Sequence, residues 1–256
     1  MTVSFTPIAE YRCFPFASPG STGKRISHDV YRRGSGAPVV IIQELPGIGP
    51  ETLRLADEFV ARGFEVVLPH LFGPLEKISM GGNLARVFCM RREFSLFESK
   101  RSSPIVDWLK ALCREVRSQG SHRGVGVIGM CLTGNFAISL MGDDSVLAAV
   151  SSQPSMPLMK PTELHMSSAE VENIRRRIDN TAPMHTYRFS GDPLCNAKKF
   201  EAIDKAFNDA GNERVITHTL PGKGHSVLTI DFVDEQGHPT REALNNILTY
   251  FSAQLQ

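Results

Sequence analysis

The chain has 256 residues, 41% hydrophobic and 21% charged, and its 28 basic side chains offset 27 acidic ones to a net charge of +1. That length and apolar content support a substantial buried core and exclude a disordered chain. A charge so near zero gives no electrostatic basis for binding nucleic acid or an anionic membrane. No apolar stretch approaches the ~20 residues of a membrane span.

The segment Met1 to Ile8 has no basic stretch followed by an apolar run, so no secretory signal is visible. The cysteines, Cys13, Cys89, Cys113, Cys131 and Cys195, are odd in number and widely spaced, without a Cys-x-x-Cys pair. This argues against a disulfide framework or a structural zinc site and fits a reducing cytoplasm, the expected location. No repeat or low-complexity linker divides the chain, so a single domain over residues 1–256 is expected.

In chain order, Tyr11 to Phe16 and Ile26 to Arg32 read as strands around the turn-forming Ser18-Pro-Gly-Ser-Thr-Gly23. Pro38 to Gln43 is a continuous β-branched run, as expected for a strand covered on both faces. Strands and helices then alternate. Helical spacing runs from Glu51 to Arg62 and stops at Gly63, and Phe64 to Leu68 is a short strand stopped by Pro69. Ile105 to Val116 reads as a helix, Val125 to Met130 as a strand, and Leu132 to Met141 as a helix. Val146 to Val150 and Met184 to Phe189 read as strands, followed by a helix over Ala197 to Ala210. A strand over Arg214 to Thr219 and an amphipathic helix over Thr240 to Leu255 complete the series. Repeated βα units imply an α/β fold: a mostly parallel sheet with helices on both faces. Two excursions, residues 70–103 and 152–180, break the rhythm; the second holds a charged helix over Ala169 to Ile178. Such insertions commonly lie over the carboxyl ends of strands, where ligands bind, and equally serve as surface elaboration.

Within Val125-Gly-Val-Ile-Gly129-Met-Cys131-Leu-Thr-Gly134, a strand pattern passes directly into a helical one with a cysteine at the corner. This is the layout of a nucleophile elbow, which lifts the reactive side chain above the sheet edge and sets a helix N-terminus beneath it. Gly129 fills the first small position; Thr133 stands at the second, with Gly134 one later. A buried structural cysteine is the competing reading. Gly124-Val-Gly126-Val-Ile-Gly129 matches G-x-G-x-x-G literally, but the polar run Arg117 to Arg123 precedes it and the glycines fall inside the strand, so a dinucleotide site is discounted. A cysteine nucleophile needs a base and a group to orient that base. Asp192 follows the strand ending at Phe189, and His225 follows the strand ending at Thr219. The order Cys131, Asp192, His225 is the nucleophile-acid-base order of α/β hydrolases. Glu44 lies at the end of the first long strand, where an ordinary esterase needs only backbone N–H groups for an oxyanion hole.

Together these segments resemble the dienelactone hydrolase family of the α/β-hydrolase fold, over nearly the whole chain from Tyr11 to the final helix. The matching pieces are Val-Ile-Ile-Gln-Glu44, Gly63-Phe-Glu-Val-Val-Leu-Pro-His-Leu-Phe-Gly73, Gly129-Met-Cys131-Leu-Thr-Gly134, Ser-Gly-Asp192 and Gly-His225. The Glu44 and Cys131 pair is the specific part. The resemblance implies Cys131 as nucleophile, His225 as base and later acid, Asp192 as its orienter and Glu44 as thiol activator. It also implies an oxyanion hole from the backbone N–H groups of Leu45 and Leu132. The substrate it implies is a small activated ester or lactone, with no metal or organic cofactor and no nucleic-acid or membrane partner. Family members hold a substrate carboxylate with arginines; no motif here matches them, and Arg86, Arg91 and Arg92 in the first excursion read first as surface charge.

Two other readings remain open at the level of sequence. One is a general carboxylesterase or thioesterase of the same fold. Another is a non-catalytic member that binds ligands or senses oxidation through Cys131. Class I glutamine amidotransferases also carry an elbow cysteine, but they need a later His-x-Glu, and no histidine here has Glu two residues on.

Overall fold

The computed structural model describes residues 3–19, 23, 25–45, 47–77, 103–155, 164 and 166–256. An eight-stranded sheet has the order β1-β2-β4-β3-β5-β6-β7-β8. Its strands are β1 (Arg12–Pro19), β2 (Arg25–Gly34), β3 (Pro38–Ile42), β4 (Glu65–Pro69), β5 (Val125–Met130), β6 (Val146–Ser152), β7 (Met184–Phe189) and β8 (Val215–Leu220). β2 is antiparallel to both β1 and β4; from β4 to β8 every pairing is parallel. This is the α/β architecture expected from the βα alternation.

The described α-helices are α1 (Pro50–Ala61), α2 (Pro104–Ser118), α3 (Gly134–Leu140), α4 (Ser168–Ile178), α5 (Ala197–Phe207) and α6 (Pro239–Leu255). They divide between the two faces of the sheet. Along β3, Val40 and Ile42 point into one core with Ile105 and Trp108 of α2, Phe136 of α3 and Phe200 of α5. Val39 and Ile41 point into the other, with Leu53 and Phe59 of α1 and Ile247 and Phe251 of α6. Both faces of β3 are covered, which is why its sequence runs apolar without alternation.

Element ends follow local chemistry. At the end of α1, Gly63 takes φ +87°; its N–H bonds to Val60 O at 3.0 Å, and that of Phe64 bonds to Phe59 O at 3.1 Å. This double closure needs the left-handed conformation glycine adopts freely. The helix expected over Ala197 to Ala210 stops at Phe207. The Asn208 side chain accepts from the N–H groups of Arg214 and Val215, both at 2.9 Å, and this pulls the chain back into β8. The helix expected from Leu132 begins instead as a 3₁₀ turn, Cys131–Thr133, and becomes α-helical at Gly134. The first strand runs on to Pro19, into the segment that reads as a turn, because it pairs with β2 along its whole length.

Candidate active site

Cys131 directly follows β5 and opens the 3₁₀ turn, with φ +56°. A non-glycine residue there is strained and persists only where its surroundings enforce it. Two glycines permit the corner. A Cβ on Gly129 would lie 2.1 Å from the Thr133 carbonyl oxygen, and one on Gly134 would lie 3.0 Å from Pro154 Cα. Thr133, the departure from the small-residue pattern, is fully buried and useful. Its hydroxyl accepts from the Met130 N–H at 3.0 Å and lies 3.0 Å from Met130 O and 3.2 Å from Ile42 O. It thus bridges the ends of β5 and β3 beneath the cysteine. The glycines of the literal G-x-G-x-x-G lie in or beside β5, as expected of a strand and not of a phosphate loop.

Asp192 and His225 come together from the loops after β7 and β8, with Asp192 Oδ2 2.8 Å from His225 Nδ1. The other carboxylate oxygen accepts from Leu194 N at 2.8 Å and Cys195 N at 2.9 Å, which fixes the acid. Asp231 fixes the base loop by accepting from His225 N at 2.7 Å and Ser226 N at 2.8 Å. Gly224 beside it is required, because a Cβ there would lie 2.7 Å from the Asp231 carboxyl carbon. Burial works to lower the His225 pKa, but the Asp192 hydrogen bond and the Cys131 sulfur override it and raise it to about 10. His225 is therefore coupled to the thiol, yet its Nε2 makes no hydrogen bond of normal geometry among the described residues.

Glu44, expected at a strand end, is 1% exposed. Its carboxylate accepts from the Thr229 hydroxyl, from Ser226 Oγ at 3.1 Å, and from Gln153 Nε2 at 3.4 Å. Burial raises its pKa, opposed by those hydroxyls and by the charge of His225. The residue before it is also pinned, since Gln43 bonds Leu71 N and Phe72 O, both at 2.9 Å. Ile42 pairs with Gly129 across β3 and β5. Leu45 and Leu132 therefore lie equally far beyond a paired position, on neighbouring strand ends, and both are buried.

The sequence missed four groups around this cluster. Ser226 and Thr229 hold Glu44 from the histidine loop. Gln153, at φ +35°, approaches it from the end of β6, and Ser155 Oγ lies 3.2 Å from Cys131 Sγ. Their one signal is position, since each lies in a segment that follows the carboxyl end of a parallel strand. Arg86, Arg91 and Arg92 lie outside the described residues. Among the described residues no group of three or more His, Cys, Asp or Glu could hold a metal ion, and no helix is long and apolar enough to cross a membrane.

The dienelactone hydrolase family model matches residues 30–255. The chain belongs to the dienelactone hydrolase family. Similar solved structures include a dienelactone hydrolase-like promiscuous phosphotriesterase from metagenomic libraries, with a TM-score of 0.65 at 13% identity over 95% of this chain and 99% of that one. A dienelactone hydrolase from Anabaena variabilis gives 0.61 at 13% identity, covering 96% and 100%. A cold-adapted esterase from an Arctic intertidal metagenomic library gives 0.58 at 15% identity, covering 97% and 96%. At such identities these structures establish the shared α/β-hydrolase fold. No functionally curated protein matches the sequence significantly.

Proposed function

We propose that this chain is a single-domain hydrolase of small activated esters or lactones, with Cys131 as nucleophile, His225 as base and later acid, and Asp192 as orienter. The observation that carries the reading is the Asp192–His225 pair at 2.8 Å coupled to a thiol on a left-handed elbow residue. The Cys131 thiolate adds to the ester carbonyl, and the backbone N–H groups of Leu45 and Leu132 hold the oxyanion. Expulsion of the alcohol, protonated by His225, leaves a thioester. Water, deprotonated by His225, then releases the acid and restores the thiolate.

Glu44 is the second proton acceptor for the thiol when substrate enters. Burial supports this role, because a carboxylate with a raised pKa is a stronger base and transfer from a thiol is less uphill. A second reading has its own support. Both Glu44 oxygens are engaged by Thr229, Ser226 and Gln153, which suits a carboxylesterase or thioesterase in which Glu44 only anchors the His225 loop. Glu44→Gln separates the two, since it keeps the size, can keep the contacts if the Thr229 hydroxyl reverses to accept from the new amide N–H, and removes the base. The first reading expects a sharp fall in enol-lactone hydrolysis at matched pH, with no rescue by Cys131→Ser. Equal rates for wild type and Glu44→Gln favour the second.

A further inference from the structure

The Cys131 sulfur lies 3.2 Å from the Ser155 hydroxyl, and Ser155 is 2% exposed. The contact is built from both chains of backbone. Ser155 N donates to Cys131 O at 3.1 Å. The Asn135 side-chain amide, from the first turn of α3, donates to Leu132 O at 3.2 Å and to Ser155 O at 3.0 Å. The end of β6 and the elbow are therefore laced together with the hydroxyl held against the sulfur.

Either atom can donate when the sulfur is a thiol; only the hydroxyl can donate when it is a thiolate. We propose that Ser155 donates its O–H to the Cys131 thiolate and so stabilises the ionised sulfur. This rests on Cys131 being the nucleophile. The raised pKa of His225 supports it, since a proton held on the imidazole leaves the sulfur as the acceptor. The same bond serves the second half of the reaction. When water has added to the thioester carbonyl, collapse of the adduct breaks the C–S bond and its electron pair goes to sulfur. A thioester sulfur is a poor acceptor and a thiolate a good one, so the Ser155 bond strengthens as the sulfur leaves.

The titratable groups around the sulfur come from other elements. His225, from the loop after β8, is coupled to it electrostatically. Cys195 interacts with it from the loop after β7, and Asp192 and Glu44 act through His225. Ser155→Ala removes none of them. It also leaves the backbone bonds of residue 155 in place, so the variant is expected to melt cooperatively.

The experiment measures the rate of Cys131 alkylation by iodoacetamide from pH 5 to 10, read by mass spectrometry on the Cys131 peptide. A hydrogen bond to a charged acceptor is worth enough to move an ionisation by roughly one pH unit or more. The midpoint of Ser155→Ala should rise by about that much relative to wild type, with the same plateau at high pH. Ser155→Thr, which keeps the hydroxyl, should retain the wild-type midpoint. A midpoint in Ser155→Ala that is unchanged or lower overturns the proposal, as does a Thr variant that shifts like the Ala variant. Alkylation needs no turnover, so failure of the hydrolase reading shows separately, as ester hydrolysis surviving in Cys131→Ala.

Discussion

Replacing Thr133 by valine tests whether the departure from the small-residue elbow is a structural device. Valine keeps the β-branched shape and nearly the volume, so no cavity opens. What disappears is the acceptor for the Met130 N–H, 3.0 Å away, and the donor facing Ile42 O and Met130 O. All lie in a fully buried setting, where an unsatisfied donor costs about 1–3 kcal/mol. For a chain of this size each kcal/mol moves Tm by roughly 2–4 °C. Thr133→Val should therefore melt about 2–12 °C below wild type by differential scanning calorimetry, while Thr133→Ser, which keeps the hydroxyl, should lose less. Because the lost bonds join β3 and β5 directly under Cys131, hydrolysis should fall more in the valine variant than in the serine one. A valine variant that melts with wild type would show that the hydroxyl bridge does not hold the elbow.

The triad proposal predicts strong non-additivity: Asp192→Asn and His225→Ala should each reduce kcat by orders of magnitude, and combining either with Cys131→Ala should add little. Additive losses, or a wild-type rate in Asp192→Asn, would show that these residues do not act as one unit. Stability should also depend on pH through His225. Its folded pKa, about 10, lies above the ordinary 6.5, so its contribution is complete below about pH 6.5 and disappears as pH rises through 10. Melting curves over pH 6–10 should therefore decline less in His225→Ala than in wild type; parallel declines would contradict the assignment.

The parallel half of the sheet was legible because β3, β5 and β6 are apolar runs bounded by turn residues. The strand-end positions of Cys131, Asp192 and His225 were legible because each follows a segment that reads as a strand. The hydrogen-bonding around Glu44 was not. Thr229, Ser226 and Gln153 reach it from two loops far away in sequence, and only the sheet order that brings the ends of β3, β6 and β8 to one edge makes them neighbours. Ser155 was hidden for the same reason: it meets Cys131 because β5 and β6 pair in parallel, Met130 opposite Ser152. The 3₁₀ turn under the cysteine was also invisible, since its geometry is set by the Thr133 bridge and not by helix periodicity.

The most direct test of the account is to trap the covalent intermediate. Wild-type protein is mixed with a small p-nitrophenyl ester, quenched in acid within the first turnover, and digested for peptide mass spectrometry. The account predicts a burst of p-nitrophenol and an acyl group on the peptide containing Cys131, labile to hydroxylamine and absent in Cys131→Ala, which also lacks turnover. An acyl group on another residue, or steady hydrolysis by Cys131→Ala, would contradict the assignment of Cys131 as the nucleophile.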